Sequence, residues 1–193
     1  MGIISRFPAG ATKPYIEEIY NSDGQLIDAK MYGHDTIRDY AFYNCPSLAL
    51  TTLPSGITNI GNSAFAVCTN LALTTLPSGI TNIGNNAFEY CTSLALTSLP
   101  SGITNIGVGE FAAFTNLALT TLPSGITNID DYAFVECSSL VSLTFEGTPE
   151  NIGASAFAGC NNLTTNNVPW AEGAVANAPW GATNATINYG YTG

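Results

Sequence analysis

Hydrophobic side chains recur along this chain at a fixed spacing of 23 residues. Three columns stay in register without insertion or deletion: one of phenylalanine, one of isoleucine and one of leucine. They are Phe42, Phe65, Phe88, Phe111, Phe134 and Phe157; Ile37, Ile60, Ile83, Ile106, Ile129 and Ile152; and Leu48, Leu71, Leu94, Leu117, Leu140 and Leu163. A unit this short cannot bury an apolar face alone, so successive units must stack. The pattern predicts a solenoid of six repeats with these columns as the rungs of one core.

A proline column marks the limits of the solenoid. It consists of Pro54, Pro77, Pro100 and Pro123, is interrupted by Glu146, and returns at Pro169. We therefore assign the solenoid to residues 31–169. Residues 1–30 are predicted to form an N-terminal cap, because Tyr15–Tyr20 and Gln25–Asp28 flank a turn signal, as in a β-hairpin. Residues 170–193 contain a second Pro-Trp pair and are predicted to form another cap or an attachment tail.

Each repeat shows two kinds of local sequence. Leu71–Leu76 is rich in strand-forming residues, and Pro77 ends it because proline cannot donate to a ladder. The run 85–91 begins with asparagines that can cap free amides and continues with better helix formers. The sequence therefore predicts a short strand on one side of each coil and a short helical turn on the other.

The repeat motif resembles a known family. The pattern Ile-Gly-x-x-Ala-Phe-x-x-Cys-x-x-Leu is carried, for example, by Ile83, Gly84, Ala87, Phe88, Cys91 and Leu94. It is similar to the BspA-type, or Treponema pallidum-type, leucine-rich repeat. The resemblance implies a right-handed leucine-rich repeat solenoid and a non-catalytic binding or adhesion module, as on gut-bacterial surfaces or in phage and prophage tails. The family has a large aliphatic residue six positions after the cysteine, whereas threonine stands there in four repeats and only Leu143 restores the pattern.

The charge distribution restricts the partners. The only four basic residues are Arg6, Lys13, Lys30 and Arg38, and the formal net charge is -10. A protein that binds nucleic acid neutralises phosphates with lysine or arginine, and anionic membranes attract the same residues. Nucleic acid is therefore excluded as a partner. With charged residues at 9%, a neutral polar surface is expected, which suits a protein or a glycan ligand.

The sequence contains no membrane-spanning or export signal. No apolar stretch reaches the 18 or so residues that span a bilayer, and the first eight residues lack the apolar run of a signal peptide. We expect no membrane insertion. The location expected for such a module is extracellular or virion-associated, reached as part of a particle such as a phage tail or after removal of a signal.

Five cysteines occupy one column of the repeat. They are Cys45, Cys68, Cys91, Cys137 and Cys160, and Phe114 takes the sixth place. A column that accepts phenylalanine is an apolar packing position, and no close-set cysteine pair suggests zinc. We predict free, buried thiols.

Nothing in the sequence points to catalysis or to a cofactor. The single histidine, His34, has no second histidine to join it, and no nucleophile motif or phosphate-binding loop is present. A calcium site built from Asp130, Asp131 and Glu110 is a minor alternative. We predict a protein that is not an enzyme and that holds neither metal nor cofactor.

The candidate binding surface follows from strand alternation. If the threonine six positions after each cysteine points inward, as the aliphatic residue of the family does, alternation along the strand turns the residues on either side of it outward. A leucine column and a hydroxyl column should then face solvent together. The candidate residues are Leu50, Thr52, Leu73, Thr75, Leu96, Ser98, Leu119 and Thr121. A bulge would instead bury the leucines, and the binding surface would then lie among Glu89, Tyr90, Asp131, Tyr132 and Glu136.

Three functions fit these observations. The first is a recognition or adhesion module. The second is a structural component of a virion or surface layer, with oligomerisation through the end caps. The third is ice binding, because the hydroxyls form regular columns with Thr51, Thr74, Thr97 and Thr120.

Overall fold

The computed structural model describes residues 2–5 and 14–193, and the predicted N-terminal cap therefore lies partly outside the described residues. The cap is a three-stranded antiparallel sheet in the order β1 (Gly2–Ser5), β2 (Tyr15–Tyr20) and β3 (Leu26–Tyr32). The predicted hairpin is confirmed by the pairing of β2 with β3. Its turn closes through the amide of Asn21, which donates to the carbonyl of Gln25 at 3.0 Å. Met31 is buried and belongs to the same hydrophobic cluster as the solenoid core.

The rest of the chain winds into coils joined by short parallel strands. The strands are β4 (Thr36–Ile37), β5 (Asn59–Ile60), β6 (Asn82–Ile83), β7 (Asn105–Ile106), β8 (Thr121–Leu122), β9 (Asn128–Ile129), β10 (Ser142–Phe145), β11 (Asn151–Ile152), β12 (Thr165–Val168) and β13 (Thr186–Tyr189). They form parallel sheets β4-β5-β6, β7-β9-β11 and β8-β10-β12-β13. We number the coils 1 to 6 by the phenylalanine that each contains, from Phe42 to Phe157.

The predicted core columns are confirmed. All six phenylalanines are buried, and their rings stack with centroids between 5.1 and 6.2 Å apart. The isoleucine and leucine columns are buried beside them. Stacking extends one apolar core along the axis, which no single 23-residue unit could form alone.

The predicted helical turn is wrong, since the described residues contain no helix. In coil 3 the amides of Ala87, Glu89 and Cys91 donate three residues back, whereas those of Asn86, Phe88 and Tyr90 donate to carbonyls of coil 4. Every second amide is thereby used to join neighbouring coils. A helix would direct all of them along its own axis, so stacking of coils overrides local helix propensity.

The strand predicted over Leu71–Leu76 is absent in coils 1 to 3 and present only in coils 4 to 6, as β8, β10 and β12. In coil 2 the buried positions include Leu71 and Leu73, and the next inward position is the half-buried Leu76. This spacing of two and then three residues does not match the period of two that a regular strand requires.

The prediction that the leucines of the candidate surface face solvent is wrong. Leu50, Leu73, Leu96 and Leu119 are at most 6% exposed and belong to the core. Each fills the core position that Leu143 fills one residue later in coil 5, so the inward position has slipped by one residue in coils 1 to 4. The threonine at the family's aliphatic position, such as Thr74, is exposed instead.

The winding continues beyond Pro169, although the sequence periodicity ends there. β13 pairs in parallel with β12, and the amide of Phe157 donates to the carbonyl of Trp180 at 2.9 Å. Trp180 is fully buried, and its ring lies 5.9 Å from that of Phe145. The C-terminal segment thus forms a seventh coil that covers the last rung of the core with tryptophan.

One junction between coils is looser than the others. Sheet β4-β5-β6 ends at coil 3 and sheet β7-β9-β11 begins at coil 4, with no strand pairing between β6 and β7. Asparagine side chains connect Asn59 to Asn82, Asn105 to Asn128, and Asn128 to Asn151, but not coil 3 to coil 4. The rings of Phe88 and Phe111 are also the most widely separated pair of the stack, at 6.2 Å. We call this junction the seam.

Candidate functional site

The hydroxyl columns lie on the surface. Thr52, Thr75 and Ser98 are exposed and Thr121 is half-buried. Within the described residues, none of these four hydroxyls makes a hydrogen bond to protein. Their role in binding, to a ligand or to ice, stays a prediction.

The opposite side of the solenoid carries exposed aromatic rings. We call it the turn face, the exposed side of segments 38–45, 61–68, 84–91, 107–114, 130–137 and 153–160. Tyr40 and Tyr43 lie in coil 1 as an edge-to-face pair with centroids 5.9 Å apart. Tyr90 of coil 3 and Tyr132 of coil 5 are each 50% exposed. Large aromatic side chains left half in solvent are typical of contact surfaces.

Two columns of the turn face have left-handed backbone conformation. The first turn column consists of Tyr40, Ser63, Asn86, Gly109 and Tyr132, with φ from 50° to 62°. The second turn column consists of Asn44, Val67, Tyr90, Ala113, Glu136 and Gly159, with φ from 55° to 74°. Only glycine and asparagine adopt this region readily, and a bulky residue there costs about 1 kcal/mol or more. The tyrosines and Glu136 therefore occupy strained positions without burying their side chains.

The turn face is acidic. Asp131 and Glu136 are exposed and Glu89 is half-buried, while no lysine or arginine follows Arg38 anywhere in the chain. The Asp131 carboxylate links coil 5 to coil 6, because it accepts a hydrogen bond from the amide of Ser155 at 2.9 Å. The carboxylates of Glu89 and Glu136 accept no hydrogen bond from the described residues.

A different acid is buried at the seam. Glu110 stands where other coils have alanine, and it is fully buried. Its Oε2 accepts a hydrogen bond from the amide of Gly107 at 2.8 Å, whereas Oε1 has no partner among the described residues. Burial raises the pKa of the Glu110 carboxyl well above its ordinary value, and the nearby Asp130 charge adds to the rise.

Glu110 also explains why the seam is loose. In the neighbouring coils the amide at the position of Gly107 donates to an isoleucine carbonyl of the preceding coil, as Gly84 does to Ile60 at 2.8 Å. In coil 4 the Gly107 amide donates to the Glu110 carboxylate instead of to the carbonyl of Ile83 in coil 3. Phe114, which replaces a smaller cysteine, enlarges the core of the same coil.

The prediction of buried thiols is confirmed for four cysteines, and all five thiols are free. Each buried Sγ lies 2.9–3.0 Å from a phenylalanine carbonyl 26 residues earlier and can donate to it. Burial raises the pKa of Cys68 to about 12. Cys45 differs because it is only half-buried beneath the hairpin.

The described residues contain no cluster of three or more metal-ligating side chains. Asp130, Asp131 and Glu110 do not form such a cluster, because Glu110 is buried while Asp131 lies on the surface. His34 is half-buried beside the hairpin, with Nε2 unpartnered. In the part of the chain that the structure describes, no helix could cross a bilayer.

Sequence reasoning identified the turn-face residues only as an alternative surface. It missed the strain at Tyr90 and Tyr132, although the asparagine and glycine in the same columns were a signal of positive φ. It also counted Glu110 as a possible calcium ligand together with Asp130 and Asp131. Its place in an alanine column indicated burial instead.

Comparisons with known proteins agree with the architecture. The family model described as "BspA type Leucine rich repeat region" matches residues 35–164 with 6 copies. Among solved structures, a T. pallidum leucine-rich repeat protein is 25% identical, with a TM-score of 0.62; the match covers 96% of this chain and 86% of that one. No curated protein sequence matches the chain.

Two further structures show the same fold at lower identity. A leucine-rich repeat protein from Bacteroides ovatus is 21% identical with a TM-score of 0.55, and the match covers 83% of this chain and 47% of that one. A leucine-rich cell surface protein from Faecalibacterium prausnitzii is 20% identical with a TM-score of 0.50, covering 83% and 72%.

Proposed function

Because the chain belongs to the BspA-type leucine-rich repeat family, we propose that it is a non-catalytic recognition module whose turn face contacts a protein partner. The observation that supports this most is the placement of Tyr90 and Tyr132. Both are half-exposed, and both occupy left-handed positions that glycine or asparagine would fill with less strain. Stability does not account for these side chains, whereas contact with a ligand does.

The turn face suits recognition more than the strand side does. Its side chains vary from coil to coil, whereas the strand side repeats threonine and serine with little change. A variable surface on a regular scaffold gives specificity, because each coil can present a different side chain at an equivalent position. Exposed tyrosine supplies large contact area at low entropic cost.

The module is proposed to act outside the cell, on a cell surface or in a phage tail. Membership of the family supports a surface location, and an exterior of mostly uncharged polar residues with an excess of acids suits an extracellular contact. A glycan in place of a protein is the other outcome that the experiment below distinguishes. A structural role in a particle, with docking through the caps, is the alternative if no member of the panel binds.

The test compares variants of the two faces. A panel of immobilised extracellular proteins and glycans is probed with the full chain, with Tyr90→Asn/Tyr132→Asn, and with Thr75→Ala/Ser98→Ala as a matched strand-side pair. We expect at least one protein of the panel to bind the full chain and to bind the tyrosine variant at least tenfold more weakly. A loss of this size corresponds to two contact residues that each contribute about 1 kcal/mol to the binding free energy. The tyrosine variant should melt at an equal or higher temperature, because asparagine relieves strain.

The proposal fails if the ligand binds the tyrosine variant as tightly as the wild type. It also fails if no panel member binds, or if only the strand-side pair weakens binding. Binding to glycans alone would replace the protein partner by a glycan while leaving the turn face as the site.

A further inference from the structure

In the second turn column, coil 4 carries a small side chain between two larger ones, although Val108 of the same coil is exposed elsewhere on the turn face. In the second turn column, Tyr90 of coil 3 is followed by Ala113 of coil 4 and Glu136 of coil 5. Gly109 and Ala112, the adjacent positions of coil 4, are equally small and are buried. The result is a notch with an alanine floor, a tyrosine on one side and a carboxylate on the other.

The three residues of the notch have similar backbone φ angles. Their φ values are 58°, 62° and 59° for Tyr90, Ala113 and Glu136. The core rings of coils 3, 4 and 5 stack 6.2 and 5.3 Å apart, so Tyr90 and Glu136, which lie two coils apart, are separated by roughly 10–12 Å. An ammonium or guanidinium group can lie within about 6 Å of a ring centroid while its nitrogen pairs with a carboxylate at up to about 4 Å. One cationic side chain can therefore contact the ring of Tyr90 and the carboxylate of Glu136 at the same time.

The charges around the notch all have one sign. Glu89 lies next to Tyr90 in coil 3, Asp131 and Tyr132 lie in coil 5, and no basic residue is present between residues 39 and 193. No ion pair or hydrogen bond among the described residues uses the Glu136 carboxylate. The ring and the carboxylate are both available to a cation from outside.

We propose that the notch over Ala113 binds a lysine or arginine side chain of a partner protein, held between the ring of Tyr90 and the carboxylate of Glu136. This inference rests on the proposed function and names the chemistry of its partner: a basic segment that presents one cation to the notch. Glu89 and Asp131 attract the rest of the segment. A neutral glycan could donate hydroxyl hydrogen bonds to Glu136 but would gain no charge pairing from it.

The test uses a short glycine-spaced peptide with two arginines, and the same peptide with citrulline, which keeps the shape and removes the charge. Binding to the full chain is followed by NMR shifts of the Ala113 and Glu136 amides. We expect millimolar binding of the arginine peptide, loss of binding with citrulline, and weakening at high salt.

Variants then assign the contacts. Tyr90→Asn and Glu136→Gln should each weaken binding by about two- to fivefold. Ala113→Tyr should abolish it by filling the notch with a side chain that the same column accepts at Tyr90. Tyr40→Asn is the matched control, because it makes the same change at a similar φ of 57° in coil 1, outside the notch.

The inference is overturned if the citrulline peptide binds equally, if no shifts occur at millimolar arginine peptide, or if Tyr40→Asn weakens binding as much as Tyr90→Asn. Glu136→Gln leaves the backbone and the core untouched, so it decides the question even if Ala113→Tyr does not fold. A panel ligand that needs Tyr90 and Tyr132 but ignores salt would sink this inference and leave the proposed function standing. A ligand indifferent to both tyrosines would sink the proposed function itself.

Discussion

A single buried carboxyl, Glu110, costs this protein stability at neutral pH. Burial raises its pKa in the folded state, whereas in the unfolded chain it titrates near the ordinary value of about 4.3. As pH rises above that value the unfolded state releases the proton first, so the contribution of Glu110 to stability falls with rising pH until the folded-state pKa is passed. Below the ordinary value both states are protonated and the contribution is constant.

We therefore predict that Glu110→Ala, which restores the residue of the other coils, raises the free energy of unfolding more at pH 7 than at pH 4. The expected gain at pH 7 is about 1–3 kcal/mol, the typical cost of a buried polar group without a partner. Urea unfolding at the two pH values measures it. Glu172→Ala, which removes an exposed carboxyl, is the control. Equal gains at both pH values would mean that titration of Glu110 does not couple to folding.

The thiols provide a second residue-scale prediction. Because four are buried and Cys45 is half-buried, titration of the native protein should modify about one group, and titration after unfolding without reductant should find all five. Cys91→Ala should cost about 1 kcal/mol or somewhat more, since it leaves a small cavity and removes the donor to the Phe65 carbonyl. Two or fewer thiols after unfolding would indicate disulfides instead.

At the scale of the element, the leucine segments show what sequence could and could not predict. The 23-residue period predicted the coils and the core columns, because both depend on apolar spacing alone. The hairpin was predicted from its strand-forming residues and the turn signal between them. The sequence did not decide whether Leu73 faces the core. The alternation of side chains along a strand placed it on the outer face, whereas its hydrophobicity placed it in the core. Packing against neighbouring coils decided it, and the strand was lost in coils 1 to 3.

The burial of this column predicts that Leu73→Ala costs about 2–5 kcal/mol. Its exposed neighbour offers the matched control, because Thr74→Ala should change stability by no more than about 0.5 kcal/mol. Thermal or urea unfolding of the two variants provides the comparison. If Leu73→Ala melted like the wild type, the leucine would be exposed, and the candidate surface on the strand side would have to be reconsidered.

The turn segments were mispredicted as helical for a related reason. Local propensity favoured a helix over 85–91, but it carries no information about amides that donate to another coil. The columns of asparagine and glycine did contain that information, because they mark positive φ. The candidate site could therefore be predicted only in part. The sequence identified its residues as variable positions of the repeat, but it did not show that they adopt a strained backbone conformation.

At the scale of the whole molecule, the charge distribution gives the plainest prediction. With a net charge of -10 and no basic residue after Arg38, neither duplex DNA nor anionic vesicles should bind at physiological salt. Fluorescence anisotropy and vesicle sedimentation measure this. A cationic vesicle is the positive control for the acidic surface. Submillimolar DNA binding that weakens steeply with salt would overturn the electrostatic argument.

The seam has a mechanical consequence. Tension applied through the two ends of a solenoid is carried by its coil junctions in series, so every junction bears the same load. The junction between coils 3 and 4 lacks the strand pairing and the asparagine link that the neighbouring junctions have. Under load the molecule should therefore part at mid-length into two stacks of coils before either stack unravels, and the notch on coil 4 lies beside that break.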